Sequence, residues 1–320
     1  VKNKIFTAIR IFVSIGLLGL LFWLMRDELT KIRSILCASS PKFLVLAILV
    51  YLVNIAFLAY RLKIIFIGEN LDLSITESLQ LTYIGYFFNN FMPTAVGGDV
   101  IKAHYASNAN RKKMKSYASV FMDRFIGLYS FLVIAAIALV INWEEFQIPG
   151  VKQMVFLFLT IGLAVFLVVT NKSIKNTTEK FFDRIKMSRL GKRLEDLYGI
   201  VHDYGNRKNV LAKAFIVSFA GQCLYFVVIY ILFAALGHKI AIGNIFLIMP
   251  VVTFISMVPS IGGLGVREGA IVALFAPLAG KDNAFAASLL LLFLLFFASF
   301  TGGIIYLWWS VKARRRERAQ

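Results

Sequence analysis

Between Ile75 and Ser107 an apolar arm rich in Leu, Tyr and Phe runs into a proline, a glycine pair, an aspartate and a lysine. The core of this stretch reads Asn89-Asn90-Phe91-Met92-Pro93-Thr94-Ala95-Val96-Gly97-Gly98-Asp99-Val100-Ile101-Lys102. A buried helix has no reason to accept this. Proline removes a backbone donor, and two glycines forfeit helix propensity. An aspartate or lysine at bilayer depth costs roughly 2.5–3.5 kcal/mol. The pattern recurs downstream as Met257-Val258-Pro259-Ser260-Ile261-Gly262-Gly263-Leu264-Gly265-Val266-Arg267-Glu268. Two broken, charged segments in one apolar chain point to a site built twice.

The chain is 59% hydrophobic and 16% charged, with a mean hydropathy of +0.76, far from a soluble domain. It reads as a polytopic membrane protein. Residues 1–10 are basic, but the apolar run after them meets no small-residue cleavage site, so it is expected to be an anchor rather than a cleaved signal. A net charge of +18 would point a soluble protein toward nucleic acid. Here Lys and Arg cluster between apolar spans, so no nucleic-acid partner is expected. The charge reads as a topology signal and an attraction to anionic membrane lipids. Cys37 and Cys223 lie far apart without metal spacing, and His104, His202 and His238 fall in separate loops. No cofactor, metal site or catalytic constellation is expected, and phosphate-loop and dinucleotide fingerprints are absent.

At about 20 apolar residues per crossing, the spans fall at 5–25, 43–67, 117–141, 152–170, 211–236 and 284–309. Segments 171–210 and 310–320 are basic, and so is the loop around Arg111, Lys112, Lys113 and Lys115. All three should therefore face the cytoplasm, as should both termini. These assignments agree only if 75–110 and 243–280 each enter and leave on one side as re-entrant hairpins. Protein or a water-filled cavity must then surround them. Arm 75–92 is also long enough to cross completely.

The expected fold is thus all-α, with about six transmembrane helices and two re-entrant hairpins. Repeat 43–141 matches repeat 211–309 with inverted topology. Span 152–170 is an extra, and 171–210 is an amphipathic helix on the inner leaflet. Inverted repeats with paired broken helices are a plan of secondary transporters.

Several residues in the breaks can carry chemistry. Gly97, Gly98, Gly262, Gly263 and Gly265 open helices whose free N–H groups attract anions, phosphate above all. They equally permit close packing. Lys102 and Arg267 are placed to pair with a phosphate. Asp99 is either an N-cap or a functional carboxylate, and Glu268 with Arg267 either pairs internally or meets a ligand. Asp123 and Arg124 form an inner-edge ion pair or face the first hairpin. Asn89 and Asn90 donate to a head group or satisfy backbone freed by Pro93. Arg61 and Lys63 read as topology markers at a span end.

Taken together, Asn90-Phe91-Met92-Pro93 with Gly97-Gly98-Asp99, Asp123-Arg124, and Pro259 to Gly265 with Arg267-Glu268 resemble one known family. It is the flippase-like transmembrane region of lysylphosphatidylglycerol synthases and their stand-alone relatives. The resemblance covers nearly the whole chain. It implies an inner-membrane protein that moves an amphipathic lipid between leaflets. The cargo it implies is an aminoacylated phospholipid in the bifunctional members, and a polyprenyl-linked glycan, a hopanoid-like lipid or another phospholipid in the stand-alone ones. The sequence as given ends at Gln320 without an aminoacyl-transferase domain, so lipid aminoacylation by this chain is not expected. Two other readings stay open: a membrane-embedded lipid-phosphate transferase, and a scaffold that recruits a lipid-modifying enzyme. A homodimer is compatible with the apolar surface.

Overall fold

A computed structural model describes residues 29–92, 97–110, 112–143, 150–170, 204, 207–258, 260 and 263–318. Among them every regular element is a helix. Helix α1 (Leu29–Cys37) precedes a first unit of α2 (Pro41–Gly68), α3 (Ile75–Phe91), α4 (Gly97–Asn110) and α5 (Lys113–Ile141). After α6 (Val151–Thr170) comes a second unit of α7 (Lys208–Ala235), α8 (Ile242–Ile255), α9 (Val266–Ala279) and α10 (Lys281–Arg318). The all-helical, polytopic expectation holds.

Among the described residues, α2, α5, α7 and α10 are long and apolar enough to cross a membrane. They fall on the expected spans 43–67, 117–141, 211–236 and 284–309. The expected span 5–25, residues 171–203 of the amphipathic segment, and Gly262 lie outside the described residues.

Local chemistry accounts for the boundaries. Pro41 opens α2, where its missing N–H costs nothing. Ser74 and Glu77 form a capping box at α3: the Ser74 hydroxyl accepts from the Glu77 N–H, and the Glu77 carboxylate accepts from the Ser74 N–H at 2.9 Å. Two stretches differ from the sequence reading. Residues 29–37, expected within a loop, form α1, because Ile32 is buried beside Phe285 and Ala286 and Lys31 pairs with Asp282. Residues 310–318, expected as a separate tail, continue α10, since Arg, Lys and Glu are good helix formers.

Helices α2 and α7, the opening spans of the two units, pack antiparallel along their whole length. Ser40 N–H donates to Ala235 O at one end, and Asn54 Nδ2 donates to Gly221 O at 2.7 Å midway. At the other end Gly68 abuts Val210. Equivalent helices therefore run in opposite directions, the geometry of an inverted repeat. The units also interleave. Arm α3 packs on α10, the last span of the other unit, and α8 packs on α5 in the same way.

The contacts along α10 set the depth of the first hairpin. Trp309 Nε1 donates to Gln80 Oε1 near the base of α3, Gly302 lies against the Tyr83 carbonyl, and Asn90 reaches Ser299 at the tip. The apolar stretch of α10 runs from Lys281 to Val311, with Phe296 at its centre. The α3–α4 hairpin thus ends level with the middle of a span. At about 1.5 Å per residue, α4, α8 and α9, each 14 residues, are about 21 Å long. That is shorter than the ~30 Å hydrocarbon layer. The second hairpin starts from the opposite end, where Gly243 abuts Asn142 beyond the end of α5.

Candidate functional site

Where α3 and α4 of the first hairpin meet α2, α5 and α7 lies a cavity of about 290 Å³. Its charged lining comes from the first unit alone: Arg61 from α2, Asp99 and Lys102 from α4, and Asp123 and Arg124 from α5. The second unit contributes Gln222, Tyr225, Thr253 and Leu295, all uncharged.

The five charged groups form one network. Arg61 Nε donates to Asp123 Oδ1 at 2.7 Å, and Arg61 Nη1 donates to the Ser218 hydroxyl at 2.8 Å. Both partners of that ion pair are buried. Arg124 Nη1 grips Asp99 Oδ2. Lys102 stands between the two carboxylates, with Nζ 3.5 Å from Asp99 and 4.0 Å from Asp123. Those separations exceed the roughly 2.7–2.9 Å of a tight charge-assisted bond. Such charges within the apolar bundle need one another, since an unpaired buried charge would leave a desolvation cost of several kcal/mol uncompensated.

Packing of the first hairpin delivers Asp99 and Lys102. Asn89 Oδ1 accepts from the Gly98 N–H at 2.9 Å, tying the start of α4 to the end of α3. A side chain at Gly98 would collide with the Gly85 carbonyl, so only glycine allows the arms to close here. Gly85 in turn leaves the space that the Lys102 stem crosses on its way to the cavity.

The second hairpin handles its charges differently. Arg267 Nη2 and Nε donate to Glu268 Oε1 at 2.6 and 3.0 Å. The other oxygen, Oε2, accepts from the Gly265 N–H at 2.7 Å. The carboxylate thereby caps its own helix while pairing with its neighbour. Gly263 and Gly265 both adopt positive φ, 78° and 79°, which the turn into α9 requires and only glycine takes easily. Arg267 and Glu268 are buried and do not line the cavity.

The sequence-derived candidates are therefore sorted by the structure. Asn89, Asp99, Lys102, Asp123 and Arg124 come together around the cavity. Gly97 and Gly98 are buried at the hairpin closure. Asn90 turns to α10, where its amide meets Ser299. Asp99 is not an N-cap: α4 begins at Gly97, and the Asp99 carboxylate is engaged with Arg124 and Lys102. Asp123 and Arg124 face the hairpin rather than forming a mutual edge pair. The N–H groups of Gly98 and Gly265 are taken by Asn89 and Glu268, so they do not offer the anion cradle expected of them.

Arg61 is the main residue that sequence reasoning misplaced. It is buried in the network rather than marking a helix end, because α2 runs on through Ile64, Ile65, Phe66 and Ile67 to Gly68. That apolar continuation was the available signal. Asn54 and Gln222, polar residues inside otherwise apolar spans, carried a similar one. Among the described residues no three His, Cys, Asp or Glu side chains group as metal ligands.

Comparison with known proteins agrees with this architecture. The family profile described as "Lysylphosphatidylglycerol synthase TM region" matches residues 7–313. Among curated proteins, a UPF0104 membrane protein of Pyrococcus horikoshii is 25% identical over 306 residues, covering 88% of this chain and 90% of the relative. Another, from Methanothermobacter thermautotrophicus, is 23% identical over 297 residues, covering 87% and 88%. A second protein of that organism is 25% identical over 276 residues, 78% of either chain. With four membrane-length helices, an interleaved repeat and a profile match over nearly its full length, this multi-pass membrane protein belongs to the lysylphosphatidylglycerol synthase transmembrane-region family.

Proposed function

We propose that this chain moves an amphipathic lipid between membrane leaflets and holds the head group in the cavity beside the first hairpin. The carrying observation is the position of five charged side chains around a cavity level with the middle of the spans. Charges at that depth are costly, and they mark substrate pathways more often than scaffolding. In this reading both hairpins are re-entrant, the first from the cytoplasm and the second from outside. Rocking of one repeat against the other then opens the cavity alternately to each leaflet. Lys102 and Arg124 contact the head group, and Asp99 releases or receives their charge as the ligand enters and leaves. Arg61, held by Asp123 and Ser218, braces the wall. In this reading the basic segments and both termini face the cytoplasm, and the membrane is the inner one.

The test is lipid movement in sealed vesicles. The chain is reconstituted with a phospholipid whose head group carries a quenchable fluorophore, with and without an imposed pH gradient. Wild type should make inner-leaflet label accessible to an external quencher, and Lys102→Ala with Arg124→Ala should not. Wild-type vesicles that behave like protein-free ones, with the helical content intact, would remove the transport reading.

A further inference from the structure

The charge balance of the cavity identifies the class of head group. Three cations, Arg61, Lys102 and Arg124, face two carboxylates, Asp99 and Asp123, so the lining carries one uncompensated positive charge. Among the described residues no other charged side chain lines the cavity. The Arg267–Glu268 pair is neutral in itself. A lone positive charge at mid-depth is costly, and a ligand with a single negative charge removes that cost.

The donors left for such a ligand are also visible. Arg124 binds Asp99 through Nη1 alone; its Nε and Nη2 have no hydrogen-bond partner among the described residues. Its side chain is 29% exposed, the most open of the five. Among the described residues Lys102 Nζ makes only the two long contacts to Asp99 and Asp123. A forked guanidinium edge beside an ammonium matches the two non-bridging oxygens of a phosphodiester, which share one negative charge.

From this geometry we infer that the cavity selects a lipid with a singly anionic phosphodiester head group over zwitterionic or cationic ones. Arg124 takes both oxygens through its fork, and Lys102 supplies the compensating charge. A zwitterionic lipid leaves the excess charge in place. A phosphomonoester, whose second proton is lost near pH 6, over-neutralises the site. This inference rests on the cavity being a head-group site, and it names what that site accepts.

The full chain in detergent is offered equimolar phosphatidylglycerol, phosphatidylcholine and phosphatidic acid, and retained adducts are weighed by native mass spectrometry. Phosphatidylglycerol should be retained over phosphatidylcholine by about tenfold or more, the range of one charged hydrogen bond. Phosphatidic acid should fall between them at pH 8. Lys102→Gln removes the excess charge and should abolish the preference, whereas Lys102→Arg should keep it. Thermal melting of both variants confirms that they fold. The basic surface will also gather anionic lipid, but Lys102→Gln leaves that contribution unchanged. Millimolar glycerophosphoglycerol or inorganic phosphate should not displace the lipid; full displacement would mean a free-anion site and overturn the lipid assignment.

Equal retention of phosphatidylglycerol and phosphatidylcholine by wild type, or a preference that survives Lys102→Gln, overturns the inference. If lipids still cross vesicles containing wild type in that case, transport stands and only the selectivity fails. Selective retention without movement is the converse: the anion site stands and transport falls.

Discussion

The two hairpins occupy equivalent places in an inverted repeat, yet they treat charge in opposite ways. The first sets its Asp99 and Lys102 among Arg61, Asp123 and Arg124 of the flanking spans, and all five face a cavity. The second folds Arg267 onto Glu268, uses the spare carboxylate oxygen to cap its own helix, and buries the result. One is an open network with unequal charge; the other is a closed, neutral pair. A repeat supplies two similar backbones, and only one of them need become a binding site. The comparison separates charge that stabilises a break from charge available to a ligand.

The largest effect is expected at the buried base of the open network. Asp123→Ala strands Arg61 in a site where both partners are buried, and should destabilise the protein by about 3–5 kcal/mol. Thermal unfolding in detergent checks this. Replacing both with leucine should recover most of the loss, because Arg61 is then no longer stranded without its carboxylate. A double variant as unstable as the single would mean that the ion pair itself is the stabilising element.

Next comes the closed pair. Glu268→Gln keeps an acceptor for the Gly265 N–H but removes the charge opposite Arg267, and should cost about 1.5–3 kcal/mol of stability. If this pair is structural, the surviving folded fraction should bind lipid as wild type does. Selective loss of head-group binding at unchanged melting temperature would erase the contrast between the hairpins.

Asn89→Ala removes the side-chain acceptor for the Gly98 N–H in the first turn of α4 and should cost about 1 kcal/mol. The same variant should loosen the approach of Lys102, measurable as weaker lipid retention in excess of the stability loss. The smallest stability effect belongs to Arg124→Gln, where a partly exposed ion pair is worth under about 1 kcal/mol. In vesicles, however, that variant should lose most lipid movement. An unchanged melting curve with full transport would take Arg124 out of the site.

Much of this was legible before any coordinates. Length, apolar spans and basic loops are one-dimensional properties, and the bilayer converts them directly into membrane-length helices. The proline–glycine breaks followed by charge were visible for the same reason, since neither suits a buried helix. The recurrence of that pattern located both units. Where the sequence erred, the reasons are local. Residues 29–37 were too short and polar to register as a helix, and it is contact with Phe285 and Ala286 that makes them one. Arg61 reads in the sequence as a topology marker at a span end, although the apolar run beyond it argues for burial.

The sequence by itself determined the class of protein, the position of its spans and the existence of two charged breaks, because hydropathy and backbone chemistry act residue by residue. Only the tertiary structure decided which charges meet. The pairing of Arg61 with Asp123 joins residues 62 positions apart, and the capping of Gly98 by Asn89 depends on two helices closing over Gly85. Ion pairing and cavity formation depend on distance in space, and the antiparallel packing of α2 on α7 sets those distances.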